Sequence, residues 1–169
     1  MTEAPQAPKP IDTRGPRFGA GVTFFLALGA LVLALLIPIE SGVWLRIGSP
    51  EFIVLAVAWI AFGIGTIWGN AASPWGLVFR VLVKPRLRKP AETEDPRPPH
   101  FALGIGFALS TIGLVLHIIG VPWGLAAASA AIVVASFLNA FVGYCLGCQV
   151  YLLLARAGVI KPGAPLAAG

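Results

Sequence analysis

Residues 19–37 read GAGVTFFLALGALVLALLI, a run with no charged side chain. As a helix rising about 1.5 Å per residue it is long enough to cross a hydrocarbon core of roughly 30 Å. Three further uncharged runs follow, at about 52–69, 101–120 and 124–143. A chain of 169 residues that is 57% hydrophobic and 11% charged could bury one soluble core, but runs of this length mark spans. The expected fold is an all-α integral membrane protein with four transmembrane helices. A secretory leader is the competing reading of the first run. Its apolar stretch exceeds the usual leader core, and Pro38, Ile39 and Glu40 follow in place of a small-residue cleavage site, so an uncleaved anchor is expected.

Around the spans, residues 1–10 read as a disordered Pro-rich tail, 11–157 as the membrane domain and 158–169 as a flexible tail. The longest polar segment runs from Asn70 to His100. In it, Ser73-Pro74 is a helix-start signal, and Arg80 and Lys84 share one side with Leu77, Val78, Val81 and Leu82 around the other. This predicts an interfacial helix at about 74–84, ended by Pro85 and followed by an extended connector over 86–99.

Charge sets the expected orientation. Eleven of the twelve Lys and Arg lie in the first segment, the middle loop and the tail, with Arg46 alone on the other side. The positive-inside rule then places both termini and the long loop in the cytoplasm. The formal net charge of +5 is thus topological, and nucleic acid is not an expected partner. Arg80, Lys84, Arg86, Arg88 and Lys89 are expected to hold the loop on anionic lipid, or to dock an acidic partner.

The chain also reads as two related hairpins forming a parallel repeat. Arg14-Gly-Pro-Arg-Phe-Gly-Ala-Gly-Val-Thr-Phe24 superposes without a gap on Arg97-Pro-Pro-His-Phe-Ala-Leu-Gly-Ile-Gly-Phe107. A weaker overlay sets Asn70 on Asn139, Trp75 on Tyr144 and Pro74 on Gly143. It ends the fourth span near Gly143 and opens a second interfacial helix, about 144–156, at the cysteines.

Those cysteines, Cys145 and Cys148, are the only two in the chain. A Cys-x-x-Cys pair can cycle between dithiol and disulfide, carry a persulfide, or supply half a metal site. The plainer reading is two small apolar side chains in packing. Their occurrence together, at redox spacing in a cysteine-poor chain, favours chemistry, with Cys145 as nucleophile and Cys148 resolving. One continuous helix from Leu125 to Leu154 would hold i, i+3 Cβ atoms about 5–6 Å apart, too far for a bridge; a break before Cys145 would put it at a helix N-terminus. A zinc site would need two more ligands, and His100 offers one at most, so no metal is expected; no resident cofactor is expected either. His117 reads as an interfacial residue wetted by headgroups, with a proton or quinone contact as the sharper reading.

Asp12-x-Arg-Gly-Pro-Arg-Phe18, Ser73-Pro-x-Gly-Leu-x-Phe-Arg80, Lys84-Pro-Arg86 and Cys145-Leu-Gly-Cys148 followed by Tyr151-Leu-Leu-Leu together give a resemblance over nearly the whole chain. The sequence resembles small actinobacterial-type membrane proteins grouped as domain of unknown function 4395. The resemblance implies a neighbouring thioredoxin-like protein or thiosulfate sulfurtransferase as partner, and no catalytic residues to carry over. The resulting expectation is thiol-disulfide exchange or sulfur relay at Cys145 and Cys148. The alternative is a noncatalytic membrane anchor that docks such a partner through the basic loop 70–100. Substrate and oligomeric state are not legible.

Overall fold

The computed structural model describes residues 10–87 and 92–160, and among these the regular structure is helical apart from one short ribbon. Four helices are long and apolar enough to cross a membrane: α1 (Arg14–Leu36), α3 (Pro50–Trp68), α5 (Arg97–Ile118), and α6 (Gly124–Phe137) with its continuation Leu138–Val142. Between α1 and α3 lies the short α2 (Val43–Ile47); α4 (Pro74–Val78) follows α3, and α7 (Leu146–Arg156) closes the order. This is a multi-pass membrane protein. Its outer face carries exposed Phe25, Leu36, Ile60 and Ile112, side chains that match lipid and would be misplaced against water.

In the bundle α1 packs on α3 and α6, and α5 packs on the same two helices, so α1 and α5 occupy one diagonal. Ala27, Ala30, Leu55, Leu114, Leu125 and Ile132 form the central core, with Trp59 stacked on Phe107 and donating Nε1–H to Thr111 Oγ1 at 2.8 Å. Small residues set the helix spacing. A Cβ at Gly113 would lie 2.6 Å from that of Ala128, and one at Gly65 2.7 Å from Leu103 Cδ1, so both glycines mark close helix approach.

Two spans start earlier than their apolar runs. The first begins at Arg14 and the third at Arg97, because an aspartate two residues ahead caps each: Arg14 N–H donates to Asp12 Oδ1 at 3.1 Å, and Arg97 N–H to Asp95 Oδ1 at 2.9 Å. Pro98 and Pro99 fit the first turn of α5, where no backbone donor is needed. The extended connector expected over 86–99 is therefore shortened. Within it Thr93–Glu94 (β2) pairs antiparallel with Ile11–Asp12 (β1), in the register Ile11 to Glu94 and Asp12 to Thr93. The Arg14 guanidinium beside Asp12 holds its carboxyl below the usual carboxylate range, while burial pushes Glu94 up.

The surface helix after α3 is capped as read: Ser73 Oγ accepts from Gly76 N–H at 3.1 Å, and Pro74 opens α4. A π-type turn over Phe79–Val83 and a 3₁₀ turn over Lys84–Arg86 prolong it, and Leu87 is extended. The overlay of Asn70 on Asn139 is corrected. Asn70 follows the left-handed Gly69 (φ 88°), whereas Asn139 precedes the left-handed Gly143 (φ 75°) by a helical turn. The link from span to cap is longer in the first half, Gly69 to Ser73, than in the second, Gly143 to Cys145, so a gapless overlay fails there.

At the opposite end, Arg46 binds the backbone carbonyls of Glu40 (2.6 Å), Ser41 (3.2 Å) and Ile118 (3.0 Å), tying the α1–α3 connection to the end of α5. Of the disordered tail expected over 1–10 and the flexible tail expected over 158–169, residues 1–9 and 161–169 lie outside the described residues.

Candidate functional site

The cysteine site is made by how the fourth span stops. Its last turn widens, the N–H of Tyr144 reaches back to Leu138 O at 2.9 Å, and Gly143 takes a left-handed φ of 75°. Only glycine adopts that conformation at little cost, and a Cβ there would also lie 2.8 Å from the Arg17 guanidinium. Cys145 is then extended (φ −85°, ψ 102°) and caps α7, its Sγ accepting from Cys148 N–H at 3.2 Å. Because Cys145 lies outside the helix, it can approach Cys148, and the two form a disulfide with Cα atoms 5.2 Å apart. Both are half-buried.

The residue between them matters to packing. A Cβ on Gly147 would lie 2.5 Å from Ala102 Cβ and 2.7 Å from Ala102 Cα, so α7 rests directly on the backbone of α5. Tyr151 reinforces this contact through Phe101, ring centroids 5.6 Å apart. Gly147→Val is expected to lift the first turn of α7 off α5, costing about 1–3 kcal/mol in overpacking. Limited proteolysis should then cut within 144–156 at least several-fold faster than in the unsubstituted protein.

Cys145 and Gly147 also line a cavity of about 530 Å³. It lies between the N-terminal halves of α1 and α5 and the C-terminal halves of α3 and α6, with α4 and α7 beside it. Its wall is mainly apolar, with Thr23, Phe62, Leu109 and Ile132 each from a different span. Two wall residues, Asn70 and Trp75, hold buried N–H groups, Nδ2 and Nε1, with no hydrogen-bond partner among the described residues. Each such group costs about 1–3 kcal/mol if left unmade. In the sequence both entered through the overlay on Asn139 and Tyr144 rather than as donors, since a buried donor without a partner is a product of packing.

The basic residues divide. Arg80 and Lys84 are exposed and line the same cavity, Arg86 is exposed and bonds the Leu82 carbonyl, and Arg88 and Lys89 lie outside the described residues. His100, weighed as a zinc ligand, donates Nε2–H to Thr66 O at 2.8 Å. Asn139 lines the cavity.

The model of one family, described as a domain of unknown function (DUF4395), matches residues 11–156. The chain belongs to this family. No curated protein and no solved structure matches it. The DUF4395 match begins at the ribbon residue Ile11 and ends at Arg156, the last residue of α7, so ribbon, cavity and both cysteines lie within the family domain.

A second polar cluster within the DUF4395 domain was not anticipated. His117, expected to be wetted at the surface, is only 5% exposed, and Glu51, at the start of α3, is 2% exposed. His117 Nε2 lies 3.7 Å from Glu51 Oε1 and 3.2 Å from Ser49 Oγ. Ser49 Oγ gives its own proton to Arg46 O at 2.8 Å, which leaves it to accept from His117 Nε2–H. Glu51 Oε2 has no partner among the described residues. An acidic residue at the head of an apolar run was the available signal, but its pairing with His117 depends on the packing of α3 against α5.

Proposed function

We propose that Cys145 and Cys148 carry out thiol-disulfide exchange or sulfur relay with a soluble thioredoxin-like or sulfurtransferase partner at the cytoplasmic face of a bacterial membrane. The observation that carries this reading is the placement of Cys145: half-buried, capping α7, and bonded to Cys148 just beyond the last span. Once the bridge is reduced, the free N–H groups and dipole of the α7 N-terminus favour a thiolate at Cys145 over one inside the helix at Cys148. A partner disulfide attacked by the Cys145 thiolate gives a mixed disulfide. Cys148 then attacks Cys145 Sγ, restoring the bridge and releasing the reduced partner; run in reverse, the same two steps let a dithiol partner reduce the bridge and leave as its own disulfide.

Orientation follows from the charge distribution, which sets Arg80, Lys84 and Arg86 on the side of the cysteines and Arg46 on the other. The exposed Arg80, Lys84 and Arg86 would then guide an acidic partner to the bridge. The two-hairpin reading is supported by the ribbon and caps. Ile11 faces Glu94, its own counterpart in the overlay of Arg14 on Arg97, and Asp12 and Asp95 cap their helices alike. A pseudo-twofold along the membrane normal would relate them.

Membranes of one defined orientation, with the bridge reduced, test this reading. A membrane-impermeant maleimide is expected to label the cysteines from the cytoplasmic side only, and, in matched membranes with the bridge intact, a thioredoxin-like dithiol protein is expected to reduce it. Labelling from the outside would overturn the orientation. A bridge that no such protein reduces would overturn the exchange, and partner binding that survives Cys145→Ser/Cys148→Ser without loss of function would favour the anchor.

A further inference from the structure

The cavity beside the bridge asks for an occupant. Ala27, Ala30, Leu55, Leu114 and Leu125 pack at the centre of the bundle, whereas toward the cysteine end, around Thr23, Phe62, Leu109 and Ile132, the same four spans leave about 530 Å³. That is within the range of small-molecule sites, roughly 300–1,000 Å³. Its wall combines three features: an apolar surface from every span, two unpartnered N–H donors at Asn70 and Trp75, and the Cys145 side of a disulfide.

We propose that this cavity binds a membrane quinone, which takes up the two electrons released when reduced Cys145 and Cys148 close their disulfide. The inference rests on the redox reading of the pair. It follows from complementarity. The chain holds no third cysteine, so an electron pair leaving Cys145 and Cys148 inside this protein goes to a carrier that is not a thiol. An oxidised quinone is apolar, partitions into the bilayer, and presents carbonyl oxygens that accept hydrogen bonds without donating any. Two buried donors in an apolar wall select for that pattern. Asn70 and Trp75 come from the α3–α4 side of the cavity and Cys145 from the α6–α7 side, so a ring between them meets donors on one side and sulfur on the other.

The step balances. The two thiols lose two protons and two electrons and form one S–S bond; the quinone gains both and its two carbonyls become hydroxyls. An anionic lipid is the competing occupant. Its phosphate would lie against the exposed Arg80 and Lys84 and leave the Asn70 and Trp75 donors unmet.

The test uses the full chain in nanodiscs of neutral phosphatidylcholine, reduced, desalted and mixed with decylubiquinone without oxygen. Quinone absorbance should fall in step with loss of free thiols, one quinol per bridge formed, and Cys145→Ser/Cys148→Ser should show neither change. Trp75→Phe keeps the ring and removes the N–H. It is expected to raise the half-saturating quinone concentration about tenfold, the loss of one hydrogen bond, while leaving thermal stability without quinone unchanged or improved. Asn70→Leu should act in the same direction. Reduced protein that does not reduce the quinone, or saturation that is untouched by Trp75→Phe and Asn70→Leu but weakened by Arg80→Gln and Lys84→Gln, would overturn the proposal. If a thioredoxin-like protein still reduces the bridge in that case, the quinone site falls and the exchange reading stands; if neither reacts, both fall.

Discussion

His117→Leu is expected to destabilise the bundle by about 1–3 kcal/mol, the cost of leaving buried polar groups without a partner. The polar neighbours left behind are Ser49 and Glu51. Glu51 Oε2 has no partner among the described residues, its Oε1 faces His117 at 3.7 Å, and the residue is 2% exposed. Removing the imidazole also deprives Ser49 Oγ of the donor it accepts from. The double variant Glu51→Met/His117→Leu removes both polar groups together and is expected to be close to the unsubstituted protein or more stable than it. Reversible unfolding in mixed detergent micelles gives the cycle. Single effects that simply add in the double variant would show that the two side chains are not coupled.

Cys145→Ser is expected to abolish exchange with a soluble disulfide partner, whereas Cys148→Ser should leave the first step intact and stop the second. The asymmetry comes from backbone position. Cys145 is extended at the helix cap and Cys148 is already inside α7, so only Cys145 gains the full set of exposed N–H groups. In the reduced protein the alkylation rate of Cys145 should rise with pH around a midpoint below the free-thiol value of about 8.5. Below that midpoint the thiol is protonated and slow; above it the rate is flat. A Cys145 midpoint at or above the free-thiol value, with Cys148 no lower, would remove the helix terminus from the mechanism.

The spans were legible because lipid demands long uncharged runs, and residues 19–37 meet that demand without any knowledge of neighbours. Capping chemistry was legible where donor and acceptor are close in sequence, as at Ser73 and Gly76. The start of α7 was within reach because Gly143 stands two residues before Cys145, and left-handed glycine is a common helix end. What could not be read depends on register between helices. Glu51 meets His117 across 66 positions, the two-residue ribbon joins segments some eighty residues apart, and the cavity exists only because α1 and α5 lie on a diagonal. Gly147 is the intermediate case. Its place between the cysteines is plain in the sequence, but only its contact with Ala102 shows that it sets how closely α7 lies on α5.

Trapping is the most direct measurement of the central claim, that Cys145 exchanges disulfides with a soluble protein. Cys148→Ser in native membranes, quenched with acid and alkylating reagent, is predicted to carry a soluble thioredoxin-like or sulfurtransferase protein bound through Cys145. The adduct should be released by reductant and absent from Cys145→Ser. Cys148→Ser that accumulates no adduct, with Cys145 recovered as a free thiol, would contradict the account.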